Sequence, residues 1–183
     1  MLAPTFPDNE AARVHAIQRM DFAGPERDER CQRYARLARV VMDTPMAMVT
    51  IVGPDAQWFR GCEGLAVTST SRAVSFCGHA ILQDGLFMVG DARQDPRFAD
   101  NPLVTGEPGI RFYAGCPIVL PGELAVGTLC VIDRVPRAPS PAQLQAFGDL
   151  AECLRSELTT LLSVADMNDV AKQLFRLLPA HGG

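Results

Sequence analysis

The C-terminal third of the chain carries the pattern that most constrains its fold. Ser140-Pro141-Ala142-Gln143 forms a capping box with proline at the first helical position, which predicts the start of a helix. Apolar residues then recur in alternating steps of four and three, at Phe147, Ala151, Leu154, Leu158, Leu161 and Ala165. This stripe has to be covered, and the sequence leaves two alternatives open: a sheet of the same domain, or a second helix in a coiled-coil dimer.

Shorter patterns predict the elements before this helix. Asp8 or Asn9 caps a helix that runs to residue 20, and a second helix is predicted over Pro25–Met42. Apolar and β-branched segments predict strands at 46–52, 57–60, 86–89, 111–120 and 125–132. Ser75 and Asp95 cap two short helices, and segment 62–71, rich in glycine, threonine and serine, is predicted to be a loop. The order of elements predicts a mostly antiparallel sheet covered by helices.

Length and charge limit the classes of function. A chain of 183 residues, 48% of them hydrophobic, is long enough for one domain with a sizeable core. The net charge of −4, without runs of like charge, argues against nucleic acid or an anionic membrane as partner. The N-terminus shows no signal peptide and no segment is apolar over the width of a bilayer, so a cytoplasmic location is expected. Six scattered cysteines lack the spacing of a zinc site, and we expect them to be reduced.

Seven short strings in the middle of the chain carry a family resemblance. They are Gln57-Trp58-Phe59, Ser75-Phe76-Cys77-Gly78-His79-Ala80-Ile81, Asp91-Ala92, Asp95-Pro96-Arg97-Phe98, Asn101-Pro102, Arg111-Phe112-Tyr113-Ala114-Gly115 and Gly127-Thr128-Leu129-Cys130-Val131-Ile132-Asp133. Their order makes a chance match negligible. The chain resembles the bacterial sensory GAF subfamily that occurs next to diguanylate cyclase and histidine kinase modules.

The resemblance implies an α+β fold, GAF-like and profilin-like, in which an antiparallel sheet is sandwiched between helices. The long N- and C-terminal helices are expected on one face and a ligand cavity on the other. A single domain over residues 1–183 is implied, with a core at about 25–165, an N-terminal helix or arm at 1–24 and a helical extension at 166–183. A homodimer through the helices Pro25–Met42 and Ser140–Ala165 is also implied. Since such domains usually precede an output module, the chain is expected either to act on a separate signalling partner or to be a fragment of a larger sensor.

Cys77 and His79 are the residues most suggestive of chemistry. In the first turn of a short helix, unpaired backbone N–H groups favour a thiolate at Cys77. Residues two apart on a helix point in different directions, so His79 does not easily act as its base. The simpler interpretations are a packing role for Cys77 and a hydrogen bond from His79 to a backbone carbonyl.

Cys116 and Cys130 lie on strands joined by the Pro121-Gly122 turn. A four-residue loop places Cys116 opposite Leu129, so that Cys130 faces the other side of the sheet. A loop one residue shorter or longer places the two cysteines opposite each other. The sequence therefore disfavours a redox pair of Cys116 and Cys130 but leaves it open.

Polar residues between the apolar segments form a second candidate set, which the resemblance places around the cavity. Such residues can bind a charged ligand, or their arginines can tie a loop to the scaffold through nearby aspartates. Aromatic side chains are expected to pack mainly in the core and only secondarily to line the cavity. The full set of candidate ligand-binding residues is Trp58, Arg72, Phe76, Cys77, His79, Asp91, Asp95, Arg97, Phe98, Asn101, Arg111, Tyr113, Cys130 and Asp133.

These observations favour a sensory domain that binds a small molecule, signals through its terminal helices and does not itself catalyse a reaction. Three alternatives are a cysteine-dependent enzyme of the free methionine-(R)-sulfoxide reductase type, a chromophore-binding module, and a domain that only dimerises. Bilin-binding GAF domains have a cysteine followed directly by histidine, whereas Gly78 separates Cys77 from His79 here. We therefore expect no bilin, and no haem or metal either; the chemical identity of the ligand stays open.

Overall fold

Alternating apolar residues assemble six strands into one antiparallel sheet. The computed structural model describes residues 1–177. Its strands are β1 (Met46–Val52), β2 (Ala56–Glu63), β3 (Ser69–Ser71), β4 (Phe87–Val89), β5 (Phe112–Leu120) and β6 (Leu124–Asp133), in the spatial order β3-β2-β1-β6-β5-β4. Its α-helices are α1 (Glu10–Arg19), α2 (Glu29–Met42), α3 (Phe76–Ala80), α4 (Pro102–Thr105) and α5 (Pro141–Leu177). The predicted α+β architecture is confirmed; the end of the predicted extension, residues 178–183, lies outside the described residues.

The helices α1, α2 and α5 pack on one face of the sheet. Ser140 and Gln143 form the predicted capping box before α5, each accepting the backbone N–H of the other. The apolar stripe that follows is buried against this face: Phe147, Ala151, Leu154 and Leu158 belong to its core, Leu161 packs on it, and Ala165 is half-buried. Of the two alternatives for covering the stripe, the structure shows the sheet of the same domain.

Helix α2 begins four residues later than predicted. Its first residue is Glu29 and not Pro25, because the carboxylate of Asp28 accepts hydrogen bonds from the N–H groups of Arg30 and Cys31 and so caps the helix there. Asp28 therefore acts as the cap, and Glu29 is the acidic residue of the first turn.

Two further local predictions were wrong. Segment 62–71 contains regular structure, since β2 runs on to Glu63 and β3 pairs with β2. Residues 95–98 form turns and not a helix. The helix in this region is α4, in which the N–H of Leu103 donates to the side chain of Asn101.

A bulge determines which face of the sheet each cysteine occupies. β5 and β6 are joined by three residues, but the register shifts between Ile118 and Val119, so that Cys116 lies opposite Leu129. Cys116 packs with the helix-covered face, whereas Cys130 packs on the opposite face. This placement excludes a redox pair of Cys116 and Cys130 in the fold.

Candidate ligand-binding site

A cavity of about 240 Å³ lies on the face of the sheet opposite the long helices. Strand residues that alternate along β1, β2, β5 and β6 provide its base, since every second side chain of a strand points to the same face. The short helices α3 and α4 and two loops complete the enclosure. The lining residues are Met48, Gln57, Phe59, Leu65, Val67, Thr70, Phe76, Cys77, Leu103, Glu107, Pro108, Ile110, Tyr113, Ile132 and Arg134.

Gln57 supplies a buried polar group in this apolar lining. Its side chain is only 5% exposed, and its Nε2 donates to the Thr70 hydroxyl at 2.8 Å. Its Oε1 is buried and accepts no hydrogen bond. An unpaired buried polar atom destabilises the fold by about 1–3 kcal/mol. A ligand that donates a hydrogen bond to Gln57 Oε1 removes this cost.

The mouth of the cavity is formed by exposed residues of the two loops and the end of β6. They are Val67, Glu107 and Arg134. The Arg134 Nε donates to the carbonyl of Pro108 at 2.8 Å, which joins the end of β6 to the loop after α4. Polar and charged atoms thus surround the entrance of an apolar cavity.

Two buried cysteines meet beside the cavity. Cys77 Sγ lies 3.7 Å from Cys130 Sγ, and the Tyr113 hydroxyl donates to Cys77 Sγ at 3.5 Å. The hydroxyls of Thr50 and Thr128, 3.0 Å apart, lie on the same face. Burial opposes ionisation of both thiols, but hydrogen bonds from Cys130, the two threonines and Tyr113 lower the pKa of Cys77, whereas the pKa of Cys130 is raised well above its usual range. Cys77 is therefore the sulfur of the pair that loses its proton first.

Three of the predicted ligand-binding residues do line the cavity: Phe76, Cys77 and Tyr113. Cys130 and Phe98 lie one layer away and do not line it. Phe98 is fully buried and stacks on Phe76 with ring centroids 3.9 Å apart, so it supports the lining from behind.

The predicted charged residues do not line the cavity, and each binds another group of the protein. Asp95 binds Arg97 through two side-chain hydrogen bonds, at 2.9 and 2.5 Å. Asp91 binds Arg93 in the same way, and this guanidinium holds the pKa of Asp91 at about 2. Asp95 and Arg97 lie two residues apart in the same loop, so this pair does not itself tie the loop to the scaffold.

Asp133 and Arg111 are likewise occupied away from the cavity. Asp133 accepts from the Arg137 Nε at 2.5 Å. Arg111 donates to the carbonyls of Val104 and Ile110, and not to an aspartate.

The remaining predicted residues have structural partners as well. Trp58 points to the helix-covered face, where it packs on the core. His79 Nε2 donates to the Leu2 carbonyl at 2.9 Å, in agreement with the simpler interpretation of this histidine. The Asn101 amide donates to the Val74 carbonyl at 2.9 Å while its oxygen caps α4.

Arg72 is 3% exposed and belongs to a buried ionic network at the N-terminus. It donates to Glu10 Oε1 at 2.6 Å and to the Gly53 carbonyl at 3.0 Å. Glu10 also binds Arg13, which is fully buried. Arg72 therefore connects α1 to the short segment that leads into α3, and does not enter the cavity.

Sequence reasoning missed most of the lining. The missed residues are mainly apolar and come from four strands, the short helix α4 and two loops that are far apart in the chain. The only local signal is Gln57, an amide between the apolar residues of β2. Its burial could not be inferred without the position of β3.

Comparison with known proteins identifies the family. The GAF domain family model matches residues 26–165, and the chain belongs to this family. A cyclic di-GMP phosphodiesterase of Pseudomonas aeruginosa is 43% identical over 154 residues, which are 82% of this chain and 26% of that protein. The chain thus spans about a quarter of the length of this curated relative.

Two solved structures share the fold. The chromophore-binding domain of a bacteriophytochrome from R. palustris has a TM-score of 0.62 at 14% identity, covering 84% of this chain and 61% of that one. A free methionine-R-sulfoxide reductase from Neisseria meningitidis has a TM-score of 0.58 at 17% identity, covering 92% and 99%. At these identities the likeness shows the fold alone.

The expectation that the chain has no enzymatic role is corrected to this extent: its relative from P. aeruginosa is named a phosphodiesterase, and the matched region is 26% of that enzyme. In residues 1–177, no helix has the length and apolar character needed to cross a bilayer.

Proposed function

We propose that this GAF domain is a sensory module that binds a small, largely apolar molecule in the cavity and transmits its presence to α5. The observation that carries the proposal is the unpaired Oε1 of Gln57 in an otherwise apolar enclosure of about 240 Å³. Such an enclosure favours a ligand with an apolar body and one hydrogen-bond donor.

The route to α5 begins at α3, which contributes Phe76 and Cys77 to the cavity. Arg72 lies just before α3 and binds Glu10 of α1 at 2.6 Å. At its other end α1 reaches α5, where Arg19 forms ion pairs with Asp166 and Asp169. A ligand that displaces α3 therefore acts on α1, and through α1 on α5.

Helices α2 and α5 are also proposed to form the homodimer, within Pro25–Met42 and Ser140–Ala165 and along the continuation of α5. The stripe at Phe147 is covered by the domain itself, so a second copy would use other faces. Exposed apolar residues are available there: Leu37 and Val40 on α2, and Val164, Met167 and Val170 on α5. Covering such residues favours association.

The output is proposed to concern cyclic di-GMP. The relative of 43% identity supports this, since it is named for cyclic di-GMP hydrolysis and is much longer than the matched region. In a protein of that arrangement, α5 would carry the signal from the cavity to an attached or separate output module.

Indole and indene test the ligand site, since they share one shape and only indole carries an N–H donor. We expect indole to raise the melting temperature of the full chain more than indene does, because it can donate to Gln57 Oε1. In Gln57→Met the two probes should become equivalent. Isothermal titration calorimetry provides the affinities.

Two tryptophan variants locate the binding. Val67→Trp blocks the mouth and should abolish binding of both probes, whereas Val135→Trp, at an equally exposed valine outside the lining, should leave it unchanged. Native mass spectrometry of the same samples reports any co-purified small molecule and the oligomeric state. Binding that is equal in the two variants would contradict the proposal.

A further inference from the structure

The sulfurs of Cys77 and Cys130 are close enough for a bond to form between them. They lie 3.7 Å apart, whereas the S–S bond of a disulfide is about 2.05 Å long, so an approach of about 1.7 Å is needed. Each cysteine side chain is at most 3% exposed, and both lie on the cavity face of the sheet. Cys77 lines the ligand cavity, but the ligand binding proposed above depends on a hydrogen bond to Gln57 and on neither thiol.

The two sulfurs differ in their access to the cavity. Cys77 belongs to the lining, whereas Cys130 lies behind it on β6. A small molecule in the cavity therefore meets Cys77 first. A redox-active dithiol needs this arrangement. One sulfur reacts first and is oxidised, and the second sulfur then attacks it to form the disulfide.

We propose that Cys77 and Cys130 are a redox-active dithiol, which a small organic hydroperoxide entering the cavity oxidises to a disulfide. The Cys77 thiolate attacks the terminal peroxide oxygen, the O–O bond breaks, and the alkoxide takes up a proton to leave as an alcohol. Cys77 is then a sulfenic acid. The Cys130 thiol attacks its sulfur, the S–S bond forms, and water leaves. Two thiols and one hydroperoxide give one disulfide, one alcohol and one water.

The surroundings of Cys77 support this chemistry. The Tyr113 hydroxyl donates to Cys77 Sγ at 3.5 Å, and the threonine hydroxyls on β1 and β6 also face this sulfur. These donors lower the pKa of Cys77 against the effect of burial, and the thiolate is the attacking species. The mostly apolar lining favours an alkyl hydroperoxide over hydrogen peroxide.

Disulfide formation would change the cavity. Cys77 is on α3 next to Phe76, and both residues line the cavity. Drawing the Cys77 sulfur toward β6 moves α3 against the sheet. Oxidation and ligand binding would thus act on the same short helix.

Oxidation of the full chain with tert-butyl hydroperoxide tests the proposal. After a short exposure the free thiols are alkylated under denaturing conditions, and peptides are mapped by mass spectrometry. We expect a linked peptide pair containing Cys77 and Cys130, formed at least tenfold faster than oxidation of Cys153, which is exposed. If Cys153 reacts first while Cys77 and Cys130 both stay alkylatable, the proposal is wrong.

Alanine variants separate the two roles. In Cys130→Ala, Cys77 should stop at the sulfenic acid, which dimedone traps; in Cys77→Ala, Cys130 should resist oxidation. Cys116→Ala, on the other face of the sheet, is the matched control and should form the disulfide at the wild-type rate. Equal oxidation of Cys130 with and without Cys77 would overturn the assignment of the reacting sulfur. The peptide map of the wild-type chain decides the outcome even where a variant folds poorly.

Discussion

Glu10→Gln should destabilise the fold because it removes the charge that two buried arginines share. Glu10 Oε1 lies 2.7 Å from Arg13 Nη2 and 2.6 Å from Arg72 Nη1, and the arginines are 0% and 3% exposed. Removing one partner of a buried ion pair costs about 3–5 kcal/mol. Because Glu10 is itself 20% exposed and glutamine keeps one acceptor, we expect a loss of about 2–3 kcal/mol in the free energy of unfolding.

Urea unfolding followed by the fluorescence of Trp58, the single tryptophan, measures this loss. The corresponding fall in melting temperature is about 5–10 °C for a domain of this size. Glu152→Gln is the matched control, since Glu152 pairs with Arg155 on the exposed side of α5. The control should lose almost no stability, because water screens this exposed pair. Equal losses in the two variants would refute the assignment of the network as buried and essential.

The pH dependence gives an independent check. Burial opposes ionisation of Glu10, but its hydrogen bonds with Arg13 and Arg72 outweigh burial and lower its pKa below the usual 4.5. The contribution of Glu10 is therefore complete above pH 4.5 and is lost as the pH falls through the lowered pKa of the folded state. Glu10→Gln should show a flatter decline of stability in acid than the wild type.

Three further variants test other parts of the structure. Phe147→Ala empties a fully buried position under α5 and should cost about 3–5 kcal/mol in urea unfolding. Burial lowers the pKa of His79, so stability should fall as the pH drops below 6.5, and His79→Gln should lack this component in melting curves. Tyr113→Phe removes a donor to Cys77 and should slow oxidation by tert-butyl hydroperoxide about tenfold, as measured by the rate of disulfide formation.

The elements that follow local rules were predictable. The capping box at Ser140 and the cap at Ser75 depend on residues within one turn, and both form as expected. The start of α2 was missed because Pro25 is an equally good local signal. Tertiary structure decides such cases, since Asp28 is fixed by a hydrogen bond from its N–H to the Arg60 carbonyl on β2.

The charged part of the site was mispredicted although the sequence contained the reason. Asp28, Asp91 and Asp95 are each followed two residues later by arginine. In all three pairs the carboxylate accepts both the backbone N–H and the guanidinium of that arginine. In each such pair the carboxylate and the guanidinium bind each other, so little charge remains for binding a ligand. The apolar lining, by contrast, depends on strand neighbours that the sequence does not reveal.

The connection between the cavity and α5 imposes a condition on any ligand. If binding in the cavity shifts α5 through Arg72 and Glu10, a change at Glu10 must alter the affinity of the cavity, because coupling between two sites is reciprocal. Glu10 does not line the cavity. Glu10→Gln should therefore change the affinity for indole as well as the stability, while Glu152→Gln changes neither. If the Glu10→Gln protein is less stable but binds indole with unaltered affinity, the ionic network of Glu10 only stabilises the fold. The signal would then have to reach α5 through the sheet.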